Sequence, residues 1–170
     1  ALDFRLYGTL GGHSGDDIDK GRINTVQQMA RFIKILSGKM DVRLVGIDGG
    51  GKHNAIAREC RARVAISPEL IASAKEEFGK FCDALRAEYH RTEPVLMQDC
   101  NEAVLDVQPL ERSLADRLIS ALVAVHHGVL AMSQDIEGLV ETSSNLASVH
   151  MNGSTIDICT SQRSSVDSAR

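Results

Sequence analysis

The sequence predicts an α+β fold in which an antiparallel sheet has helices packed on one face. Three observations predict it: short segments with alternating apolar and polar residues, longer segments with apolar residues at helical spacing, and hairpin-type turns between successive strands. The chain has 170 residues, of which 43% are hydrophobic and 25% charged, as in ordinary globular proteins. At about 150 residues per domain, this length corresponds to one domain or two very small ones.

The alternating segments predict the strands, and the helical periodicity predicts the helices. The predicted strands are residues 3–10, 42–47, 54–66, 94–107, 139–150 and 155–162. One helix follows Asp16-Asp17 and ends at Ser37-Gly38, one runs from Ser67-Pro68-Glu69 to about His90, and one spans residues 110–125.

Cap and turn residues mark the limits of these elements. Asp16 or Asp17 is expected to cap the first helix, and Ser67 the second. His126-His127-Gly128 is expected to close the third, and Asn152-Gly153 is a favoured two-residue hairpin turn. The order strand, helix, strand, strand thus occurs twice around a linking helix. This order is consistent with a duplicated strand-helix-strand-strand unit.

Composition excludes several classes of partner. The formal charge is −4, from 19 basic and 23 acidic residues, and no basic stripe is present, so we expect no nucleic-acid partner. No apolar run approaches the roughly 20 residues of a membrane span. The four cysteines are widely spaced without a CxxC pair and are interpreted as reduced thiols of a cytoplasmic protein: Cys60, Cys82, Cys100 and Cys159.

No metal site is assigned to this chain, because the usual ligand spacings are absent. There is no HExxH or CxxC motif. His126 and His127 are adjacent, and neighbours on a helix point about 100° apart. Asp16, Asp17 and Asp19 lack the Gly and Glu that a calcium loop requires at fixed offsets.

The glycine-rich segment 8–15 precedes a predicted helix and could cradle an anion at its N-terminus. However, it matches neither GxGxxG nor a Walker loop, and the Gly49-Gly50-Gly51-Lys52 segment is not followed by a predicted helix. Nucleotide binding is therefore not favoured. An anion-binding regulatory domain stays as a minor hypothesis.

Three polar residues stand where chemistry could occur. His13 lies among glycines, Asn54 begins a predicted strand after three glycines, and Arg163 ends the last strand. A His or Asn can donate to a developing oxyanion, and an Arg can bind a carboxylate through two hydrogen bonds. Each could equally be a turn residue or a solvated charge. Ser14 beside His13 does not predict a nucleophile–base pair, because adjacent residues seldom reach that geometry and no nucleophile elbow is present.

Four motifs, in order along nearly the whole chain, resemble a known family. The resemblance is to the lid segment of cytosolic aminoacylhistidine (Xaa-His) dipeptidases, relatives of carnosinase in the zinc-peptidase family that includes glutamate carboxypeptidase. The motifs are Gly11-Gly12-His13-Ser14-Gly15-Asp16-Asp17-Ile18 with Lys20-Gly21-Arg22-Ile23-Asn24, Asn54-Ala55-Ile56-Ala57-Arg58-Glu59, His127-Gly128-Val129-Leu130-Ala131-Met132-Ser133 with Gly138-Leu139-Val140-Glu141-Thr142-Ser143-Ser144-Asn145-Leu146, and Arg163-Ser164-Ser165-Val166-Asp167-Ser168.

The resemblance implies that residues 1–170 are a single lid or dimerisation domain of a larger two-domain metallopeptidase. In that family a separate catalytic domain holds two zinc ions, and the protein is expected to be a homodimer acting on dipeptides. His13 matches the lid His that stabilises the oxyanion, Asn54 the Asn that helps hold the substrate, and Arg163 the Arg that binds the substrate carboxylate. Ala57 departs from the family, which has Pro there, and so could loosen the positioning of Asn54.

Two hypotheses for function follow. The first is the lid of a zinc-dependent dipeptidase that hydrolyses Xaa-His dipeptides, with the isolated chain expected to be inactive. The second is a stand-alone oligomerisation or binding module without catalysis. Flanking sequence that carries His, Asp and Glu metal-ligand motifs would distinguish the first from the second.

Overall fold

The computed structural model describes residues 1–169, and in that range the chain forms three helices, a seven-stranded sheet and a two-stranded ribbon. The helices are α1 (Thr25–Lys39), α2 (Ile71–Glu88) and α3 (Arg112–Ala124), with 3₁₀ turns at Pro68–Leu70 and Asp167–Ala169. The strands are β1 (Leu2–Tyr7), β2 (Gly12–His13), β3 (Val42–Gly50), β4 (Ala55–Ile56), β5 (Cys60–Ile66), β6 (Met97–Glu102), β7 (Gly128–Met132), β8 (Val140–Asn152) and β9 (Thr155–Ser164). The α+β class is confirmed.

The first six large elements form one unit. β1, α1, β3, β5, α2 and β6 follow a βαββαβ order, and their strands lie side by side as β6-β1-β5-β3, all antiparallel. β6 pairs with β1 along its full length, with Phe4 opposite Cys100. This pairing places β6 at the edge of the first unit and away from β8 and β9, while the duplicated strand-helix-strand-strand unit stays a prediction.

Strand β8 joins the remaining elements to this sheet. Its residues 142–144 pair with both β7 and β9, and its residues 148 and 149 pair with both β3 and β9. β7 and β3 therefore share one edge of β8, and β9 covers the other. The β8–β9 hairpin is confirmed, but Asn152 pairs with Thr155, so the two turn residues are 153 and 154. β7 was not predicted, because its five residues carry too short a pattern.

The helices pack on the sheet over one continuous core. The buried residues of β1, β3, β5 and β8 belong to the same apolar cluster as those of all three helices. All four phenylalanines lie in it, with ring centroids of Phe4, Phe32 and Phe78 4.8–4.9 Å apart. Such pairs add about 0.5–1.5 kcal/mol each beyond the area that they bury. Alternate residues of β1 and β5 point away from the core and are mostly charged, as in the Arg63–Asp3 pair at 2.6 Å.

Helix α1 begins later than predicted. Its cap is Asn24, whose side chain accepts a hydrogen bond from the Gln27 backbone N–H at 3.1 Å. The prediction that Asp16 or Asp17 caps this helix is therefore wrong, since residues 10–23 form a loop that precedes it. Ser67 also makes no side-chain cap for α2, because a 3₁₀ turn comes first.

The predicted strand over residues 54–66 is two strands. The break lies at residues 57–59, where the Ala57 carbonyl accepts hydrogen bonds from the Thr25 backbone N–H at 3.2 Å and the Thr25 hydroxyl at 3.0 Å. These bonds tie Ala57 to the start of α1 instead of to a sheet. Asn54 consequently lies in a turn before β4 and does not begin a strand, contrary to the sequence prediction.

Two further features concern the chain in general. No helix among residues 1–169 is long and apolar enough to span a membrane. The four cysteines, all within this range, are free thiols.

Candidate functional site

His13 and Asn54 are neighbours because a short ribbon joins their segments. β2 pairs with β4, with His13 opposite Ala55, and the Ser14 backbone N–H donates to the Asn54 carbonyl at 2.9 Å. Both residues line a cleft of about 600 Å³, together with Lys52. We call this the site cleft, and we call residues 10–23 the His13 loop.

Asp17 organises the backbone on which His13 stands. Its carboxylate accepts a hydrogen bond from the His13 N–H at 2.8 Å and pairs with Lys20 and Arg22. The hydrogen bond from Lys20, followed by that from the His13 backbone, lowers the pKa of Asp17 below its ordinary value. A methyl group at Gly12 would lie 2.5 Å from Asp17 Oδ2, so the carboxylate can approach only a glycine there. Asp17 thus serves the loop and not the helix.

The His13 ring has a defined hydrogen-bond environment at Nδ1. Nδ1 lies 3.2 Å from the Gly15 N–H and 3.3 Å from the Asp16 carboxylate, and the two contacts require opposite protonation of that atom. The Asp16 side chain is 85% exposed, whereas the Gly15 N–H is part of the backbone, so we assign the acceptor role to Nδ1. The proton of the neutral ring then lies on Nε2, which can donate to a ligand.

Arg163 approaches the His13 loop from the other end of the chain. It lies in β9 opposite Ser143, and its guanidinium contacts Gly15. A methyl group at Gly15 would lie 2.4 Å from Arg163 Nη1 and 3.2 Å from His13 Cε1, so both side chains border the same glycine. Arg163 is exposed and makes no ion pair with a carboxylate among residues 1–169, unlike Arg63, which pairs with Asp3. Its charge is thus available to a ligand.

Asn145 holds the turn that carries Asn54. Its Nδ2 donates to the carbonyls of His53 at 3.2 Å and Ala55 at 3.0 Å, one on each side of Asn54. Asn145 is only 1% exposed, and its Oδ1 has no hydrogen-bond partner within residues 1–169. Sequence reasoning gave Asn145 no separate role. The available signal was an amide in the strand of small and apolar residues before Leu146-Ala147.

Other candidate chemistry does not assemble among residues 1–169. The Ser14 hydroxyl is buried without a hydrogen-bond partner, so it forms no pair with His13. No group of three or more His, Cys, Asp and Glu side chains comes together with the spacing of a metal site in this range. His126 and His127 do not act as a pair either, because His126 bonds the Val129 carbonyl while His127 faces Asn24.

The site cleft and its edge therefore combine an imidazole donor, an amide and a guanidinium that makes no ion pair with a carboxylate in the described part of the chain. Such groups can bind a carboxylate and donate hydrogen bonds to a second oxygen. The chain is thus an α+β domain that presents an imidazole, an amide and a guanidinium near one edge.

The chain belongs to the peptidase dimerisation domain family, whose sequence pattern matches residues 5–93. It is similar to the cytosol non-specific dipeptidase of Escherichia coli, with 31% identity over 165 residues, which cover 97% of this chain and 34% of that protein. It is also similar to the crystal structure of aminoacylhistidine dipeptidase from Vibrio alginolyticus, with 34% identity and a TM-score of 0.95 over 98% of this chain and 34% of that one.

The similarity to these two proteins covers more of the chain than the family pattern does. The pattern ends at residue 93, before β6, whereas the match to the Vibrio structure covers nearly the whole chain. The elements from α3 to β9 therefore belong to the same folded region in that relative. The chain spans about one third of the length of each of these two proteins.

Proposed function

We propose that this chain is the lid and dimerisation domain of a longer dipeptidase that hydrolyses Xaa-His dipeptides. The observation that carries the proposal is the convergence of His13, Asn54 and Arg163 at one edge of the domain. The similarity to two dipeptidases over nearly the whole chain supports the peptidase assignment. The domain would complete the active site of the longer enzyme, and the chain alone would be inactive.

The three residues would divide substrate recognition among them. His13 would donate from Nε2 to the oxyanion that forms as the peptide carbonyl is attacked. Arg163 would bind the C-terminal carboxylate of the dipeptide, for which a planar guanidinium is well suited. Asn54 would orient the substrate from the turn that Asn145 holds. Closure of the domain would exclude water and assemble these groups around the substrate.

The zinc ions of such an enzyme would bind outside this chain. Residues 1–169 offer no group of side chains that fits a zinc site, since no three suitable ligands converge there. Zinc would supply Lewis-acid chemistry from the catalytic domain. We therefore assign no metal ligand and no metal-dependent step to this chain.

The partners follow from the family and from the sequence. Membership of a dimerisation domain family supports a homodimer, in addition to contact with the enzyme's own catalytic domain. The net charge of −4 argues against a nucleic-acid partner. A cytoplasmic location is supported by the free thiols and by the name of the Escherichia coli relative.

The decisive experiment is a His13→Ala substitution in the full-length enzyme. Loss of an oxyanion donor lowers kcat by about 10²–10³-fold, and we expect that decrease for hydrolysis of an Xaa-His dipeptide. The matched control is His90→Ala, because His90 is an exposed histidine just after α2 whose ring lies within hydrogen-bond distance of the Ala87 carbonyl. A wild-type kcat for His13→Ala would refute the proposal. Flanking sequence without metal-ligand motifs would favour the stand-alone module.

A further inference from the structure

We infer that Glu93 is a positioning residue for His13, and this inference rests on the proposed function. Glu93 lies between α2 and β6, is not among the residues that line the site cleft, and makes no hydrogen bond to His13 within residues 1–169. It acts on the loop that carries His13, by holding both ends of that loop at once.

The contacts are specific to the two ends of the His13 loop. Glu93 Oε2 accepts a hydrogen bond from the Leu10 backbone N–H at 2.8 Å, and Oε1 accepts one from the Ile23 N–H at 3.1 Å. One carboxylate thus joins the first residue of the loop to the residue before the α1 cap. Between them the loop contains only the two residues of β2 as regular structure, so its shape depends on such side-chain contacts.

Glu93 is itself firmly held. Its backbone N–H donates to the Tyr89 carbonyl at 2.8 Å, and the Thr92 N–H donates to the same oxygen at 3.0 Å. Tyr89 is the C-terminal cap of α2, which packs in the core through Phe78 and Leu85. Glu93 therefore links both ends of the His13 loop to the C-terminal end of α2.

The burial of Glu93 is difficult to explain by stability alone. The residue is 3% exposed, and among residues 1–169 it makes no ion pair with a Lys, Arg or His side chain. Burying a carboxylate is costly unless hydrogen bonds compensate it, and an apolar side chain would avoid that cost. An apolar side chain, however, could not accept hydrogen bonds from the backbone N–H groups of Leu10 and Ile23. Accepting both bonds is the property that a positioned His13 requires.

The substitution Glu93→Gln separates this role from simple packing. Glutamine has nearly the same shape, but only one of its two terminal atoms can accept a hydrogen bond. Its NH₂ group would face one of the two backbone N–H donors, so one end of the loop would be released. Glu93→Asp keeps both acceptors on a shorter side chain and is expected to lie between Glu93→Gln and the wild type.

The matched control is Glu111→Gln. Glu111 also accepts from two backbone N–H groups, those of Ser113 and Leu114, but it caps α3 and has no contact with the His13 loop. Because Glu93 is buried and Glu111 is exposed, the free energy of unfolding of both variants is measured beside kcat, and kcat is compared where both are folded. A positioning role affects only Glu93→Gln.

The test measures Xaa-His dipeptide hydrolysis by the full-length enzyme. A displacement of about 1 Å can cost up to about 100-fold in rate, so we expect Glu93→Gln to lower kcat by between about 10- and 100-fold. KM should change by less than about threefold, since Arg163 still binds the carboxylate. Glu111→Gln should keep the wild-type kcat. In the His13→Ala background, Glu93→Gln should cause little further loss, because both changes remove the same contribution.

The outcomes distinguish the two proposals. The positioning role would be overturned if Glu93→Gln lowered kcat by the same factor in the wild type and in the His13→Ala background. It would also be overturned if Glu111→Gln lowered kcat as much as Glu93→Gln does. A wild-type rate for His13→Ala would instead refute the proposed function. Hydrogen exchange in the same proteins tests the contacts directly: amides of residues 10–23 should exchange faster in Glu93→Gln than in Glu111→Gln. If Glu93→Gln does not fold, Glu93→Asp takes its place, and unchanged exchange across residues 10–23 would contradict the role.

Discussion

At the residue scale, Asn24 and His127 join three elements through one buried polar contact. Asn24 Oδ1 caps α1, and its Nδ2 donates to the Leu146 carbonyl at 2.7 Å and to His127 Nδ1 at 3.2 Å. The Leu146 N–H also lies 3.4 Å from His127 Nδ1. Because Nδ1 accepts both bonds, the ring must be neutral with its proton on Nε2. Burial, with a smaller contribution from the His126 charge, lowers the pKa of His127 to about 4.

This pKa predicts that the protein loses stability on mild acidification. Above the unfolded pKa of about 6.5, His127 is neutral in both states and the full stability is present. Between about pH 6.5 and pH 4 only the unfolded state binds the proton, so the free energy of unfolding decreases as pH falls. We expect His127 to contribute a decrease of about 2 kcal/mol between pH 7 and pH 5, measured by urea unfolding.

Two variants isolate this contribution of His127. His127→Gln removes the titrating group and should give a smaller decrease over the same interval. His126→Gln should change the slope only slightly, because the His126 charge is the smaller cause of the lowered His127 pKa. Equal slopes for the wild type and His127→Gln would show that the ring is not held neutral.

At the element scale, the helices follow the periodicity of the sequence, whereas their ends follow side-chain contacts. α2 buries Ala74, Phe78, Phe81, Cys82 and Leu85 on one face, as the apolar spacing predicts. Its interior also contains Gly79, which would meet no atom within 4 Å if it carried a methyl group. Packing within this domain therefore does not require a glycine at position 79, and glycine has a lower helix propensity than alanine.

Gly79→Ala should therefore stabilise the protein. Glycine is about 0.8–1.0 kcal/mol less favourable than alanine inside a helix, and we expect most of that gain in the free energy of unfolding. The matched control is Gly138→Ala, which also meets no atom within 4 Å but has a φ of +77°. That substitution should destabilise by about 1–2 kcal/mol, since a Cβ strains the left-handed conformation. Urea unfolding measures both, and a loss of stability in Gly79→Ala would contradict this account of α2.

At the scale of the whole molecule, the candidate site exists because the two ends of the chain meet. His13 belongs to the loop after β1, and Arg163 to the last strand, and they border Gly15 from two sides. The β8–β9 hairpin brings Arg163 there by packing β8 against both β3 and β7. The site therefore depends on the complete sheet and not on either half.

Gly15→Ala tests this meeting point. The added methyl group would lie 2.4 Å from Arg163 Nη1, the mobile end of a flexible side chain, so the guanidinium should move while the fold persists. In the full-length enzyme we expect KM for an Xaa-His dipeptide to rise about tenfold, which corresponds to the loss of about one charge-assisted hydrogen bond. Gly38→Ala, in a helix with open space, is the control. An unchanged KM in a variant whose Arg163 guanidinium has been displaced would argue against a carboxylate-binding role for Arg163.

Local sequence determined most of the elements of this protein. Alternation and helical spacing report which side chains are buried, and burial within one element depends on residues only a few positions apart. The three helices and the large strands were therefore predictable, as was the α+β class. His13, Asn54 and Arg163 were identified through short motifs whose residues are contiguous.

Only the tertiary structure decided how these parts are connected. The pairing of β6 with β1, the break at Ala57 and the shift of the α1 cap to Asn24 all depend on contacts between distant residues. The same holds for Glu93 and Asn145, which act on the loops of His13 and Asn54 from far along the chain. A hydrogen bond from a side chain to a distant backbone leaves no periodic pattern in the sequence. The chemical groups of the candidate site could thus be read from the sequence, whereas the contacts that position them could not.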